Sequence, residues 1–379
     1  MQQHPAHYIL SVSLVKPWIE WQNSHIRFIY ARAINIIGAR KMKSTHVSIV
    51  AIPDSMFSTL SGIYDVLNSF SLLSTYDDTL PKTPPFQVEI VAPTHEEMIT
   101  ASGLALNAQR PFTDVTSTDI VIVPSVMVEH GEWKTGRYPG MVQWLRERHS
   151  QGATLCSACS GVLLLAETGL LDGREVTMHW AFASTFRQNF PQVHLRLEKI
   201  LVIAGDHDQF VMSGASASWY DLVLYLVVRY VGPTAAQAVS KFFALQWHSD
   251  GQAPYLVFDL PMDHEDAVIR DAQVWLAEYF SIAAPITEVV KQSGIPERSF
   301  KRRFSKATGY SPIAYVQHLR VEDAKRRLER TNASIDQISW SVGYEDAASF
   351  RRLFKRITGI TPGDYRRKFS VPHFAQTHK

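Results

Sequence analysis

Ile335-Asp-Gln-Ile-Ser-Trp-Ser-Val-Gly343, Tyr344-Glu-Asp-Ala-Ala-Ser-Phe-Arg-Arg-Leu-Phe354 and Gly359-Ile-Thr-Pro362 are one pattern in its second copy. The first copy reads Ile286-Thr-Glu-Val-Val-Lys-Gln-Ser-Gly294, Ile295-Pro-Glu-Arg-Ser-Phe-Lys-Arg-Arg-Phe304 and Gly309-Tyr-Ser-Pro312. Phe300, Phe304, Gly309 and Pro312 recur at Phe350, Phe354, Gly359 and Pro362, an offset of 50 residues. Self-similarity at a fixed offset signals a repeated structural unit, so it is read before any single motif.

Each copy reads as a helix, a short turn and a second helix. Ile286, Val289 and Val290 share one helical face. Gly294 can take the left-handed conformation that ends a helix, and Pro296 fits the first turn of the next. Phe300 and Phe304, four residues apart, face a core. Arg298, Lys301 and Arg302 then point outward together. A helix with an apolar stripe and a basic outer face, held by a glycine turn, suits the major groove of DNA.

This stretch, over roughly residues 267–370, resembles the C-terminal domain of AraC/XylS transcription regulators, an all-α domain with two helix-turn-helix units. The resemblance rests on Gly343-Tyr344, Phe350-Arg-Arg-Leu-Phe354-Lys-Arg356, Gly359-Ile-Thr-Pro362 and Tyr365-Arg366. It implies that both second helices reach successive major grooves of double-stranded promoter DNA. Base contacts are expected from Arg298, Ser299, Lys301 and Arg302 in the first unit, and from Asp346, Ser349 and Arg352 in the second. Lys306, Lys355 and Arg356 are expected on phosphates. Helix 313–330 is expected to be the rigid spacer between the units.

Charge is distributed to match. Residues 267–379 hold 20 Lys+Arg against 11 Asp+Glu, net +9. Residues 44–266 hold 12 against 24, net −12, and residues 1–43 hold 6 against 1, net +5. Basic charge sits with the repeat, as phosphate contact requires; the acidic middle is excluded as a nucleic-acid surface. Two cysteines form no disulfide framework, which fits a reducing cytoplasm. No apolar run approaches the roughly 18 residues of a spanning helix, and no signal peptide is visible.

Along the chain, residues 1–44 read as a poorly ordered N-terminal extension, although a basic amphipathic helix with Trp18 and Trp21 can be drawn over 17–40. Residues 45–246 alternate short apolar strands with helices. Strands are expected at 46–52, 86–91, 119–124 and 153–156. Short strands are expected at Val176, 194–197, 201–204 and 209–212. Helices are expected at 60–73, 141–149, 161–167 and 216–230, and from 234. This is the pattern of a parallel sheet covered on both faces, so a doubly wound, flavodoxin-like α/β domain is expected. Residues 247–266 form the inter-domain linker, and 371–379 a tail.

The chemistry of the α/β domain concentrates in Ala153-Thr-Leu-Cys156-Ser-Ala-Cys159-Ser160-Gly161, followed by His179-Trp180. A strand, a tight turn, Cys159, a small residue, Gly161 and a helix have the geometry of a nucleophile elbow. The following helix N-terminus would lower a thiol pKa. Cys156-Ser-Ala-Cys159 also spells a dithiol motif. Strand-to-elbow geometry points the two thiols apart, which disfavours a disulfide. The cysteines and scattered histidines make no zinc site, and no cofactor is called for.

The segment resembles the ThiJ/PfpI group of class I glutamine amidotransferase-like domains. Over 45–370 the chain resembles GlxA-type regulators, which join such a domain to an AraC-type one. Enzymes of the group use the elbow cysteine, here Cys159, with a carboxylate from the loop after the first strand. Counting back from Asp65-Val66, that position falls on Thr59; the nearest upstream acid is Asp54. Some enzymes carry His directly after the cysteine; here it is Ser160. The resemblance therefore implies a catalytically degenerate domain that binds a small-molecule effector near Cys159, Ser160, His179, Trp180 and Thr59. An amine, amino acid or quaternary ammonium compound is the expected class. It further implies an activator working as a homodimer with RNA polymerase, away from membranes. Two alternatives stand beside it. A cysteine hydrolase or hydratase would need the missing carboxylate. A thiol redox sensor would need Cys156 and Cys159 to oxidise together.

Overall fold

The computed structural model describes residues 44–258 and 260–371; the expected extension and the tail from 372 lie outside the described residues. The strands of the main sheet are β1 (Thr45–Val50), β2 (Phe86–Ala92), β3 (Arg110–Pro111), β4 (Ile120–Val123), β5 (Thr154–Ala158), β6 (Leu201–Ala204) and β7 (Phe210–Ser213). Among the described residues they pair in the order β6-β7-β5-β4-β1-β2-β3. β1 runs parallel to β2 and β4, β5 parallel to β4 and β7, and β6 closes one edge antiparallel. The inner order β2-β1-β4-β5-β7 is the flavodoxin arrangement, in which strand order reverses between β1 and β4.

Both faces of this sheet are dry. Along β4, Ile120 and Ile122 face one apolar cluster and Val121 and Val123 the other, because successive side chains alternate across a strand. Helices α1 (Phe57–Asn68), α4 (Trp219–Tyr230) and α5 (Pro233–Phe242) cover the first face. Helices α2 (Pro139–Ser150) and α3 (Val162–Ala166) cover the second. The doubly wound expectation holds.

Some elements differ from the sequence reading. The helix expected over 60–73 breaks at Ser69, whose hydroxyl donates to the Val66 carbonyl at 2.7 Å, and resumes as a single turn at Phe70–Leu73. The strands at Glu175–Val176 and His194–Leu195 pair with each other outside the main sheet. A hairpin of Met98–Ile99 and Ala105–Leu106 has too few residues to show periodicity.

The C-terminal domain is helical: α6 (Ala267–Tyr279), α7 (Pro285–Ser293), α8 (Glu297–Thr308), α9 (Pro312–Arg330), α10 (Ile335–Ser341), α11 (Ala347–Thr358) and α12 (Pro362–Phe369). It has two small cores. Phe300 and Phe304 join Ile269, Leu276, Val289 and Tyr315 in the first; Phe350 and Phe354 join Leu328, Ile338, Val342 and Tyr365 in the second. Helix α9 serves both, with Tyr315, Val316 and Leu319 in one and Val321, Ala324 and Leu328 in the other. It is thus the rigid spacer. Gly343 closes the turn of the second unit at φ +89°, and a Cβ there would lie 2.4 Å from the Ser281 carbonyl, so glycine is required on two grounds.

Candidate functional site

Between β5 and α3, Cys159 sits at φ +55°, a strained conformation for a residue with a Cβ. The crowding that enforces it is visible at Gly161, where a Cβ would lie 2.3 Å from the Pro124 carbonyl oxygen and 2.5 Å from that of Val123. This is the elbow read from the sequence. It stands beside the reversal of strand order, where open α/β sheets hold their ligands.

The surroundings of the thiol are not those of an acid–base pair. Cys159 Sγ lies 3.6 Å from Ser216 Oγ, in the turn that starts α4. Thr59, expected from the resemblance to stand in for a carboxylate, donates its hydroxyl to Ser125 Oγ at 3.0 Å. Two neutral hydroxyls cannot hold a proton taken from a thiol as a carboxylate can. Asp54 is engaged elsewhere. Its carboxylate pairs with Arg137 at 2.5 Å, and that guanidinium lies 4.6 Å over the Trp133 ring. Burial first, and then the Asp54 charge, push the Tyr138 phenol up to about 12.

Ser160, expected near a ligand, is engaged by backbone. Its hydroxyl donates to the Val126 carbonyl at 2.6 Å and accepts from the Val126 amide at 2.9 Å. Those two bonds make it the anchor of the loop after β4. His179 Nδ1 accepts from the Ala181 amide at 3.2 Å, capping a short turn, and its ring lies 5.2 Å from Trp180 and 5.6 Å from Phe182. Burial lowers its pKa, favouring neutral imidazole. Cys156, fully buried in β5, has its thiol pushed up to about 12 by that burial. A thiol so protonated is a poor partner for disulfide exchange.

The site is closed. Cys159, Ser160 and Thr59 are 2%, 1% and 3% exposed. Trp219, at the start of α4, packs so tightly on α1 that a Cβ on Gly62 would lie 2.6 Å from its ring. A surface hollow of about 350 Å³ lies elsewhere, lined by Thr135, Arg146, Glu167 and Asn189 among others. Among the described residues no cluster of three or more His, Cys, Asp or Glu is arranged to hold a metal ion, and no helix is long and apolar enough to cross a membrane. Sequence reasoning missed Ser216 and Ser125. Both lie just past the carboxyl end of a strand, β7 and β4, and that position in this fold was the available signal.

In the helical domain, Phe300, Phe304, Phe350 and Phe354 are fully buried, which turns the opposite faces of α8 and α11 to solvent. Arg298, Lys301, Arg302 and Lys306 are exposed on α8, with Ser299 half-buried; Arg352, Lys355 and Arg356 are exposed on α11. Pro296 precedes α8 rather than occupying its first turn. Lys301 pairs with Glu297 at 2.5 Å. On α11, Asp346 is the N-cap, accepting from the Ala348 and Ser349 amides at 2.9 Å each. Ser349 Oγ donates to Asp346 at 2.5 Å and accepts from Arg352 at 2.8 Å. Asp346 and Ser349, expected on bases, thus support Arg352. Arg356 donates to Gln317 at 3.1 Å. Arg303 ties α8 to Asp266 with two bonds of 2.6 and 2.8 Å, and Arg351 ties α11 to Asp336 at 2.5 Å.

Two family models match: the DJ-1/PfpI family over residues 75–206 and a helix-turn-helix domain over 289–368. The chain joins a DJ-1/PfpI domain to an AraC-type helix-turn-helix domain. The transcriptional regulator CdhR of Pseudomonas aeruginosa is 27% identical over 274 residues, 71% of this chain and 78% of that protein. The regulator GlxA of Rhizobium meliloti is 23% identical over 318 residues, covering 80% and 94%. ArgR of Pseudomonas aeruginosa is 28% identical over 233 residues, covering 60% and 68%. All three are named transcriptional regulators, and this DJ-1/PfpI–AraC chain is a DNA-binding regulator of the same build.

Proposed function

We propose that this regulator binds a small-molecule effector at the Cys159 crevice of a DJ-1/PfpI domain that has no catalytic role, and that the effector alters its hold on promoter DNA. Two observations support the reading: a Thr59–Ser125 hydroxyl pair at the position the resemblance assigns to a catalytic carboxylate, and an elbow thiol that meets Ser216. The strained fold of an enzyme is kept while its proton acceptor is absent. Because the crevice is closed, an effector must displace the Ser216–Trp219 turn to enter, and the α4 helix that begins there is the natural moving part. A neutral His179 in an aromatic group with Trp180 and Phe182 suits an amine, amino acid or quaternary ammonium compound.

On the DNA side, α9 spans about 28 Å at 1.5 Å per residue, close to one turn of the duplex. Its length supports α8 and α11 entering successive major grooves on one face. Arg298, Arg302 and Arg352 read bases, and Lys306, Lys355 and Arg356 meet phosphates. The protein acts in the cytoplasm as a homodimeric activator that engages RNA polymerase.

The test is the melting temperature of the full chain against amines, betaines, amino acids and aldehydes, with each incubation assayed for product. A ligand that binds the native state raises the melting temperature by mass action. A rise without turnover, retained in Cys159→Ala, is expected. Turnover abolished by Cys159→Ala would make the domain an enzyme and overturn the reading.

A further inference from the structure

The segment between the domains is gripped from both sides. On the α/β side, His248 is held by Asp221 in the first turn of α4: its amide donates to Oδ1 at 3.0 Å and its Nδ1 meets Oδ2 at 2.6 Å. Its Nε2 lies 2.9 Å from the Tyr220 hydroxyl. Asp221 is 1% exposed, and a carboxylate so deep needs such a partner. Four residues on, Gln252 is fully buried and donates to Thr177 Oγ1 at 2.9 Å and to the Met178 and Lys199 carbonyls at 3.1 Å. Met178 immediately precedes His179. The Ser216 turn leading into α4 and the strand leading to His179 are therefore both fastened to this one segment.

Its other side grips the second helix-turn-helix unit. Asp250 pairs with Lys368 of α12 at 2.9 Å. The Lys368 ammonium lies 5.2 Å over the Tyr255 ring, and that ring meets Phe369 edge-on at 5.2 Å. The Leu256 carbonyl accepts from Lys325 of α9 at 2.5 Å. Gly359, which caps α11, brings its Cβ position within 3.6 Å of the Asp250 carbonyl.

We propose that residues 248–256 are a rigid strap coupling the Cys159 crevice to the second helix-turn-helix unit, so that α11 is the recognition helix an effector repositions. This rests on the effector reading for what opens the crevice; the mechanical link belongs to this chain alone. Displacing the α4 turn pulls His248 through Asp221. The polar grip at Gln252 and the ion pair at Lys368 carry that shift to α12 and the α11 cap. Coupling of this kind is reciprocal, so loosening the far end of the strap loosens the crevice.

That reciprocity gives a test without effector or DNA: hydrogen exchange of the full chain in Lys368→Met and, as a variant that keeps shape and alters only charge, Asp250→Asn. The strap predicts several-fold faster exchange in peptides holding the Ala181 and Ser218 amides, which bond to His179 Nδ1 and the Ala215 carbonyl. Peptides of α8 should stay unchanged. Acceleration confined to 250–256 and α12 overturns the strap and leaves the effector reading untouched. A ligand panel that shifts no melting temperature would fail the effector reading while leaving the exchange result standing.

Discussion

The two helix-turn-helix units share a sequence pattern and a core design, yet they prepare their recognition helices differently. In the first, α8 begins after Pro296, and its Lys301 is paired with Glu297. Among the described residues, Arg298, Arg302 and Lys306 form no ion pair, so this helix presents loose positive charge. In the second, Asp346 caps α11 and, through Ser349, holds Arg352 in one geometry. The second unit is also the one fastened by Asp250 and Leu256 to the α/β domain. Repetition conserves the scaffold, while capping and tethering separate the work. The second unit is therefore expected to discriminate more sharply than the first, because a fixed guanidinium loses less freedom on meeting a guanine edge.

The largest effect tests the shared scaffold. Phe354→Ala and Phe304→Ala should each cost about 3–5 kcal/mol, each melting its own unit, as followed by denaturant unfolding of the full chain. A markedly smaller loss at Phe304 would show that the two cores are not equivalent.

Next comes the division of labour. Arg352→Ala should weaken binding to a duplex selected by the full chain roughly tenfold to a hundredfold and relax preference at one position. Ser349→Ala should relax the same position with less loss. Arg302→Ala should relax preference at its own position less than Arg352→Ala does at its own. Equal loss of discrimination from both arginines would erase the comparison.

A smaller effect is pH-dependent. The Asp346 carboxyl is held below its ordinary value, first by Ser349 and then by the Ala348 and Ser349 amides. A depressed folded pKa gives stability that is full above the unfolded value of about 4 and is lost as pH falls through the folded one. Thermal midpoints from pH 7 to 3 should therefore fall less steeply in Asp346→Asn than in the parent. Parallel slopes would remove the cap from the account. The smallest effect is expected from Glu297→Gln, which frees an exposed Lys301. A gain in DNA affinity of about twofold, strongest at low salt, is expected, and unchanged binding would mean that the pair does not restrain Lys301.

Most of the architecture was legible. Strand and helix positions in 45–246 followed from apolar alternation, and the sheet order obeys the connection rules that such alternation implies. The elbow was legible because Cys159 and Gly161 are local features of one turn. The anchoring bonds of Ser160 were not legible, because its partner, the Val126 backbone, lies 34 residues away. Residues 247–266 were read as a linker from composition, which left their packing unread, since proline and acidic residues say where regular structure stops and not what the segment touches.

The sequence alone determined the repeat, the basic face opposite Phe300 and Phe350, and the strained cysteine turn. These are set by residue identity and by periods of two or about four positions. Only the tertiary structure decided that Cys159 meets Ser216 from 57 residues away, that Thr59 meets Ser125 from 66, and that Lys368 meets Asp250 from 118. The reason is physical: a hydrogen bond between distant residues leaves no period in the chain, and its partner is chosen by the order in which strands and helices pack.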